Sequence, residues 1–143
     1  IVGDGPQRAE VEGRIARLRL ADNVRLTGFR DDVPVLMALA DVYVLTSYAW
    51  EGFPISTLEA QAAGRPVVVT DAGGSREAVL HEKTGLIVPS RSPQLLADAL
   101  LRLLRDADLR QRLGQAGRVR AREEFTRERM VERMARIYDD LVT

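Results

Sequence analysis

The sequence predicts an α/β fold with a Rossmann-like, doubly wound parallel sheet. Three observations carry that prediction. Short runs such as Asp41-Val42-Tyr43-Val44-Leu45-Thr46 and Arg65-Pro66-Val67-Val68-Val69-Thr70 are almost wholly apolar, as strands covered on both faces must be. The segments between them carry apolar residues at helical spacing. The two kinds of segment alternate along the chain, which calls for right-handed crossovers and helices on both sides of one sheet.

In chain order, Ile1-Val2-Gly3 is predicted as the end of a strand, and Asp4-Gly5-Pro6 as the turn into a helix reaching about Leu20. The apolar face of that helix is Ala9, Val11, Ile15, Leu18 and Leu20. Asn23 to Gly28 is predicted as a second short strand. Asp31 or Asp32 then caps a helix containing Val35, Leu36, Leu39 and Ala40. Strands follow at 42–46, 67–70 and 86–88, with a Gly73-Gly74 turn and a short helix over about 75–80 between the last two. Three helices close the chain, at about 93–104, 107–123 and 127–141. The last has Met130, Met134, Ile137, Tyr138 and Leu141 at helical spacing, so one side is expected to be buried.

Ligands on such sheets bind outside the carboxyl ends of the strands. The loops at 28–30, 47–55 and 71–75 all follow predicted strands and should open on that edge. The central loop is the most informative. Glu51-Gly52-Phe53-Pro54 leads into a helix from Ile55, with Ile55, Leu58 and Ala62 as its apolar positions and Gly64 ending it before Pro66. The free amides of Ile55, Ser56 and Thr57 are expected to point, with the positive end of the helix dipole, at one spot. Glu51 precedes that spot and Glu59 lies in the second helical turn, from which side chains lean back toward the N-terminus. Two carboxylates would repel a bare phosphate. A sugar nucleotide resolves the conflict: amides hold phosphate while carboxylates accept from sugar hydroxyls.

The segment EGFPISTLEAQAAGRPVVVTDAGGSREAV resembles the donor-site signature of the family 4 (group 1) retaining glycosyltransferases, enzymes of two-domain GT-B architecture. The likeness runs from Ile1-Val2-Gly3-Asp4-Gly5-Pro6 through Thr84-Gly85-Leu86-Ile87-Val88 to the closing helices. It implies that this is the C-terminal, donor-binding half of such an enzyme. Glu51 would face the donor sugar hydroxyls near the reacting carbon, and Glu59 would accept from the ribose. Gly52, Phe53, Pro54, Ile55 and Ser56 would border the diphosphate, and Phe29 and Arg30, after Gly28, the base. Family members often carry glycine where this chain has Pro54. The resemblance also implies retention at the anomeric carbon with no metal or other cofactor. The donor-binding strand and loop that precede this point, where the family places an arginine and a lysine on the diphosphate, lie outside the sequence. So does the acceptor domain, and the chain alone is expected to be inactive.

Composition narrows the alternatives. With 143 residues the chain is long enough for one domain and a full core. Its 21 basic and 21 acidic residues balance, which argues against a nucleic-acid binder working through bulk charge. There is no cysteine, hence no disulfide framework and no thiolate nucleophile, and the single His81 leaves little for a catalytic triad or a histidine-rich zinc site. His81 is expected to serve at a helix end. No apolar stretch approaches the ~20 residues that span a bilayer, so a cytoplasmic enzyme is expected, working in its full-length form at the inner membrane surface or free of it. The closing arginines are offset by Glu123, Glu124, Glu128 and Glu132 and form a solvated face. The last helix is open to local packing, to contact with the absent N-terminal domain of the same chain, or to a homodimer. Two other classes are also open: a nucleotide-sugar epimerase of GT-B shape, for which one histidine is few acid–base groups, and a non-catalytic Rossmann-like module, which leaves the Glu51/Glu59 pair unmotivated.

Overall fold

A computed structural model of the chain describes residues 1–49 and 51–142. Internal contacts divide the chain into two compact units, Ile1–Val35 and Leu36–Thr143.

In the first unit, α1 (Arg8–Arg17) is shorter than the apolar pattern predicts. It ends because Arg19 takes a left-handed φ of 56°, with Arg19 N donating to Ala16 O and Leu20 N to Ile15 O, each at 3.0 Å. This is a Schellman closure made with arginine where glycine is usual, so the stop has no compositional signal. The predicted strand at 23–28 is not formed. The segment is tied to the N-terminus by Thr27 N to Ile1 O at 3.0 Å and Gly3 N to Gly28 O at 2.9 Å, the latter an isolated bridge. Helix α2 (Val33–Leu39) spans the junction of the two units. Asp32 precedes it and its carbonyl accepts from Val35 N at 2.9 Å, but its carboxylate is held by Arg30 instead of capping the helix.

The second unit is built on a parallel sheet of β1 (Tyr43–Leu45), β2 (Val67–Asp71) and β3 (Leu86–Pro89), in that spatial order. Tyr43 pairs with Val67, and Val69 with Ile87. Side chains alternate between the faces of a strand, yet Val67, Val68 and Val69 are all fully buried. Both faces of β2 are therefore covered, as the unbroken valine run predicts. Helices α3 (Ile55–Ala62), α4 (Ser75–Ala78), α5 (Pro93–Arg105), α6 (Ala107–Glu124) and α7 (Arg127–Val142) complete the unit. The last three match their predicted bounds within a residue because their caps are written in the sequence. Pro93 opens α5, Asp106 accepts from Leu109 N at 2.8 Å to start α6, and Thr126 Oγ1 accepts from Arg129 N at 3.2 Å to start α7. The core joins Val68, Leu86 and Val88 of the sheet to Leu103 of α5 and to Leu109 and Leu113 of α6. Full burial of each such side chain stabilises by about 1.5–3 kcal/mol.

Two apolar faces differ from expectation. In α3 the buried residues are Thr57, Ala60 and Gln61, whereas Ile55 and Ala62 are exposed. Helix α6 comes close against this face at its glycines. A Cβ added at Gly114 would lie 2.3 Å from Gly64 O, and one at Gly117 would lie 3.1 Å from Gln61 Cγ. In α7 no residue is buried, and Met130, Met134, Ile137, Tyr138 and Leu141 are all exposed. Nothing among the described residues covers the stripe predicted to be buried.

Candidate functional site

All three strands run the same way, so the segments after β1 and β2 emerge on one edge of the sheet. Ser47 follows β1. Its Oγ donates to Glu51 Oε2 at 2.5 Å, and its carbonyl accepts from the buried Thr70 hydroxyl of β2. Glu51 is thus half-buried and held by a neutral donor, and no cation pairs with it among the described residues. Trp50, just before it, lies outside the described residues.

The loop after β2 presses directly on Glu51-Gly52. Gly74 N donates to Glu51 O at 3.2 Å and to Gly52 O at 3.1 Å. Gly73 has φ +48°, and a Cβ there would fall 1.6 Å from Glu51 O; one at Gly74 would fall 2.3 Å from Gly52 O. The Gly73-Gly74 pair is therefore required for the close approach of the two loops, beyond making a turn. Gly52 is different. It is exposed, and a Cβ there would meet nothing within 4 Å. The fold itself gives no reason for glycine at this position.

Pro54 is buried and occupies the N-cap of α3 instead of its first turn, with φ −78° and ψ 83°. Its carbonyl accepts from Thr57 N at 3.0 Å, and Phe53 O accepts from Ile55 N at 2.9 Å. Two of the three amides expected to be free are therefore engaged within the chain. Ser56 N is the one left without a backbone partner among the described residues. The C-terminus of α3 closes as predicted: Gly64 has φ +76°, its N donates to Gln61 O at 2.8 Å, and Arg65 N donates to Ala60 O at 2.9 Å.

Tyr43, at the start of β1, ties the site together, and nothing in the sequence marks it. Its hydroxyl donates to Ser56 Oγ at 2.7 Å. Burial pushes its pKa up, and the negative charges of both Glu51 and Glu59 push in the same direction. Glu59 itself is exposed and makes no side-chain hydrogen bond or ion pair among the described residues. Thr57, one residue beyond Ser56, is buried, and its hydroxyl has no hydrogen-bond partner among the described residues.

Of the residues assigned to a base, Phe29 is 88% exposed, so it is not a core plug. Arg30 donates from Nε to Asp32 at 2.7 Å and through a second contact to the same carboxylate, which holds the Asp32 carboxyl below its usual range. Both lie in the first unit. His81 is structural: its Nδ1 accepts from Ile87 N at 2.9 Å. Among the described residues no three His, Cys, Asp or Glu side chains gather as a metal site would need, and no helix is long and apolar enough to cross a membrane.

Comparison with known proteins decides the family. Residues 1–120 match the model of the glycosyl transferases group 1. The chain belongs to that family. A GDP-mannose-dependent alpha-(1-6)-phosphatidylinositol monomannoside mannosyltransferase of Mycobacterium tuberculosis is 40% identical over 126 residues, 82% of this chain and 33% of that protein. The Anabaena protein Alr3699/HepE, solved in complex with UDP-glucose, superimposes with a TM-score of 0.90 at 31% identity, over 97% of this chain and 40% of that one. The C-terminal domain of a group 1 glycosyl transferase (LpcC) from Francisella tularensis superimposes at 0.77, with 27% identity over 86% of this chain and 66% of that one. This group 1 chain thus has the Rossmann-like α/β fold of the C-terminal half of GT-B enzymes. It spans about a third of the length of the curated relatives it matches.

Proposed function

We propose that the chain is the donor-binding half of a glycosyltransferase that moves a sugar from a nucleoside diphosphate to an acceptor hydroxyl. The observation that carries this reading is the first turn of α3, where Ser56 N has no backbone partner among the described residues, with Glu51 on the loop before it, held by Ser47, and Glu59 one turn further on. A ligand seated there meets one backbone donor at the positive end of α3 and two carboxylates. That set suits a phosphate joined to hydroxyl-bearing sugars and suits neither group alone. Glu51 takes the donor sugar hydroxyls near the reacting carbon, and Glu59 the ribose. Gly52, Phe53, Pro54 and Ile55 shape the diphosphate edge. Phe29 and Arg30, in the first unit, keep the base-bordering role that the family resemblance implies. The nucleotide complexes of relatives support the donor class.

The finer reading follows the family. Transfer proceeds with retention and without a bound metal, and helix amides with cationic groups stabilise the departing diphosphate. The acceptor is held by a further domain of the same polypeptide, the chain alone has no turnover, and the exposed stripe of α7 meets that domain or a second copy. The enzyme works in the cytoplasm. Glu51→Gln and Glu59→Gln in the full-length enzyme test the assignment. Glu51→Gln is expected to lower kcat, and Glu59→Gln to raise KM for the donor, with thermal stability unchanged in both. Transfer at the unaltered rate by both variants would falsify the assignment and favour a non-catalytic module.

A further inference from the structure

The loop that bears Glu51 is held from its far side by the end of α6. The ring of Phe53 lies 5.6 Å from that of Phe125, tilted at 45°. Phe125 is the C-cap of α6. The Arg120 guanidinium sits 4.8 Å over the Phe125 ring. Only 13% of the Arg120 side chain is exposed. Its Nη1 donates to Ala78 O and its Nη2 to Glu77 O, each at 2.8 Å, and its Nε to Glu124 at 3.0 Å. Those carbonyls end α4, a four-residue helix whose C-terminal groups have few partners of their own. The other end of α4 is Gly74, which donates to Glu51 O and Gly52 O. The contacts close a ring: loop 51–53, Phe125, Arg120, α4, Gly74, and back to the loop.

Resting on the donor-binding reading, we propose that Arg120 and Phe125 are positioning residues that set the height of the Glu51-Gly52-Phe53 loop for the nucleotide sugar. Neither touches the ligand. Arg120 fixes α4 with two charge-assisted hydrogen bonds and fixes Phe125 through its ring face, so one side chain sets both walls of the loop. Lysine at 120 keeps the charge but cannot reach two carbonyls in a plane while stacking on a ring. Placement matters because a misplacement of about 1 Å at a reacting centre costs on the order of a hundredfold.

The test measures kcat and KM for the donor separately, in the full-length enzyme, well below the melting temperature of each variant. Arg120→Lys, Phe125→Leu and Phe53→Leu should each lower kcat/KM by roughly tenfold or more. Phe125→Tyr, which keeps the ring, should restore it. The double variant Phe53→Leu/Phe125→Leu should lose no more than either single one, since both break the same ring of contacts. Variants that melt lower yet keep the unaltered kcat/KM overturn the inference, and so do losses that multiply in the double variant. Should Phe125→Leu fail to fold, Arg120→Lys decides alone. Thermal shifts of the unaltered enzyme with UDP-, GDP- and ADP-sugars separate the two ideas. No shift with any of them removes the donor reading and this inference with it, whereas a shift accompanied by an unaltered kcat/KM in Arg120→Lys removes only the inference.

Discussion

Gly73→Ala is the sharpest probe of how the site is held. The added Cβ would sit 1.6 Å from Glu51 O and 2.7 Å from its carbonyl carbon. Optimal nonbonded separations are about 3.5 Å, so the two loops must part by roughly 2 Å. Three costs follow. A non-glycine residue at φ +48° costs about 1–2 kcal/mol. The shared hydrogen bond from Gly74 N to the Glu51 and Gly52 carbonyls is lost, at about 1 kcal/mol. Residual overpacking against the Glu51 backbone adds about 1–3 kcal/mol. The sum is about 3–6 kcal/mol, or roughly 10–20 °C in the melting temperature of a chain this size, read by circular dichroism. Donor affinity in the full-length enzyme should fall as well, because the Glu51 backbone moves. Gly52→Ala is the internal control. It meets no protein atom within 4 Å, so it should melt within about 2 °C of wild type. It should nevertheless weaken donor binding if ligand approaches that backbone. A Gly73→Ala protein that melts and binds like wild type would refute the loop-on-loop reasoning.

Gly114→Ala places a Cβ 2.3 Å from Gly64 O, between α6 and the end of α3, and should destabilise by about 2–3 kcal/mol in urea titration; an unchanged midpoint would mean that the helices separate freely. Acid should also act through Glu82, whose carboxyl is held below its usual range by hydrogen bonds from Arg102 against a smaller opposing effect of burial. A depressed folded pKa gives stability that is present above the unfolded value of about 4 and is lost as pH falls through the folded one. Because the pair is largely exposed, it is worth less than about 1 kcal/mol. Urea midpoints of wild type and Arg102→Met should therefore differ at pH 7 and converge as the pH falls through the lowered folded value; a gap that widens in acid contradicts the sign.

Much of this was legible in the sequence, and the failures share one cause. The valine run 67–69, Pro93, Asp106, and Gly64 before Pro66 each state a local rule that tertiary structure leaves standing. Where contact between distant segments decides, the pattern misleads. The apolar positions Ile55, Leu58 and Ala62 suggest the packed face of α3, but Thr57, Ala60 and Gln61 are the buried residues, with Gly114 and Gly117 of α6 in close approach. Arg19 ends α1 in a conformation that composition does not announce. The stripe on α7 was legible as apolar, though periodicity cannot say what covers it. At the site, the spacing of Glu51 and Glu59 could be read directly. Ser47, Tyr43 and Phe125, which fix the Glu51 side of it, belong to separate elements and could not.

The two acids are held very differently, and the difference fits the roles proposed for them. Glu51 sits on a loop that accepts from Ser47, abuts Gly73-Gly74 on one side and leans through Phe53 on Phe125 at the other. Glu59 sits on a regular helix, exposed, with no side-chain hydrogen bond or ion pair among the described residues. A group facing the reacting carbon must be placed before the ligand arrives, since reorganisation at that point raises the barrier directly. A group that only accepts from a ribose hydroxyl can settle onto the ligand as it binds, at the cost of some side-chain entropy. Loosening the loop should therefore damage turnover more than affinity, and removing Glu59 should do the reverse.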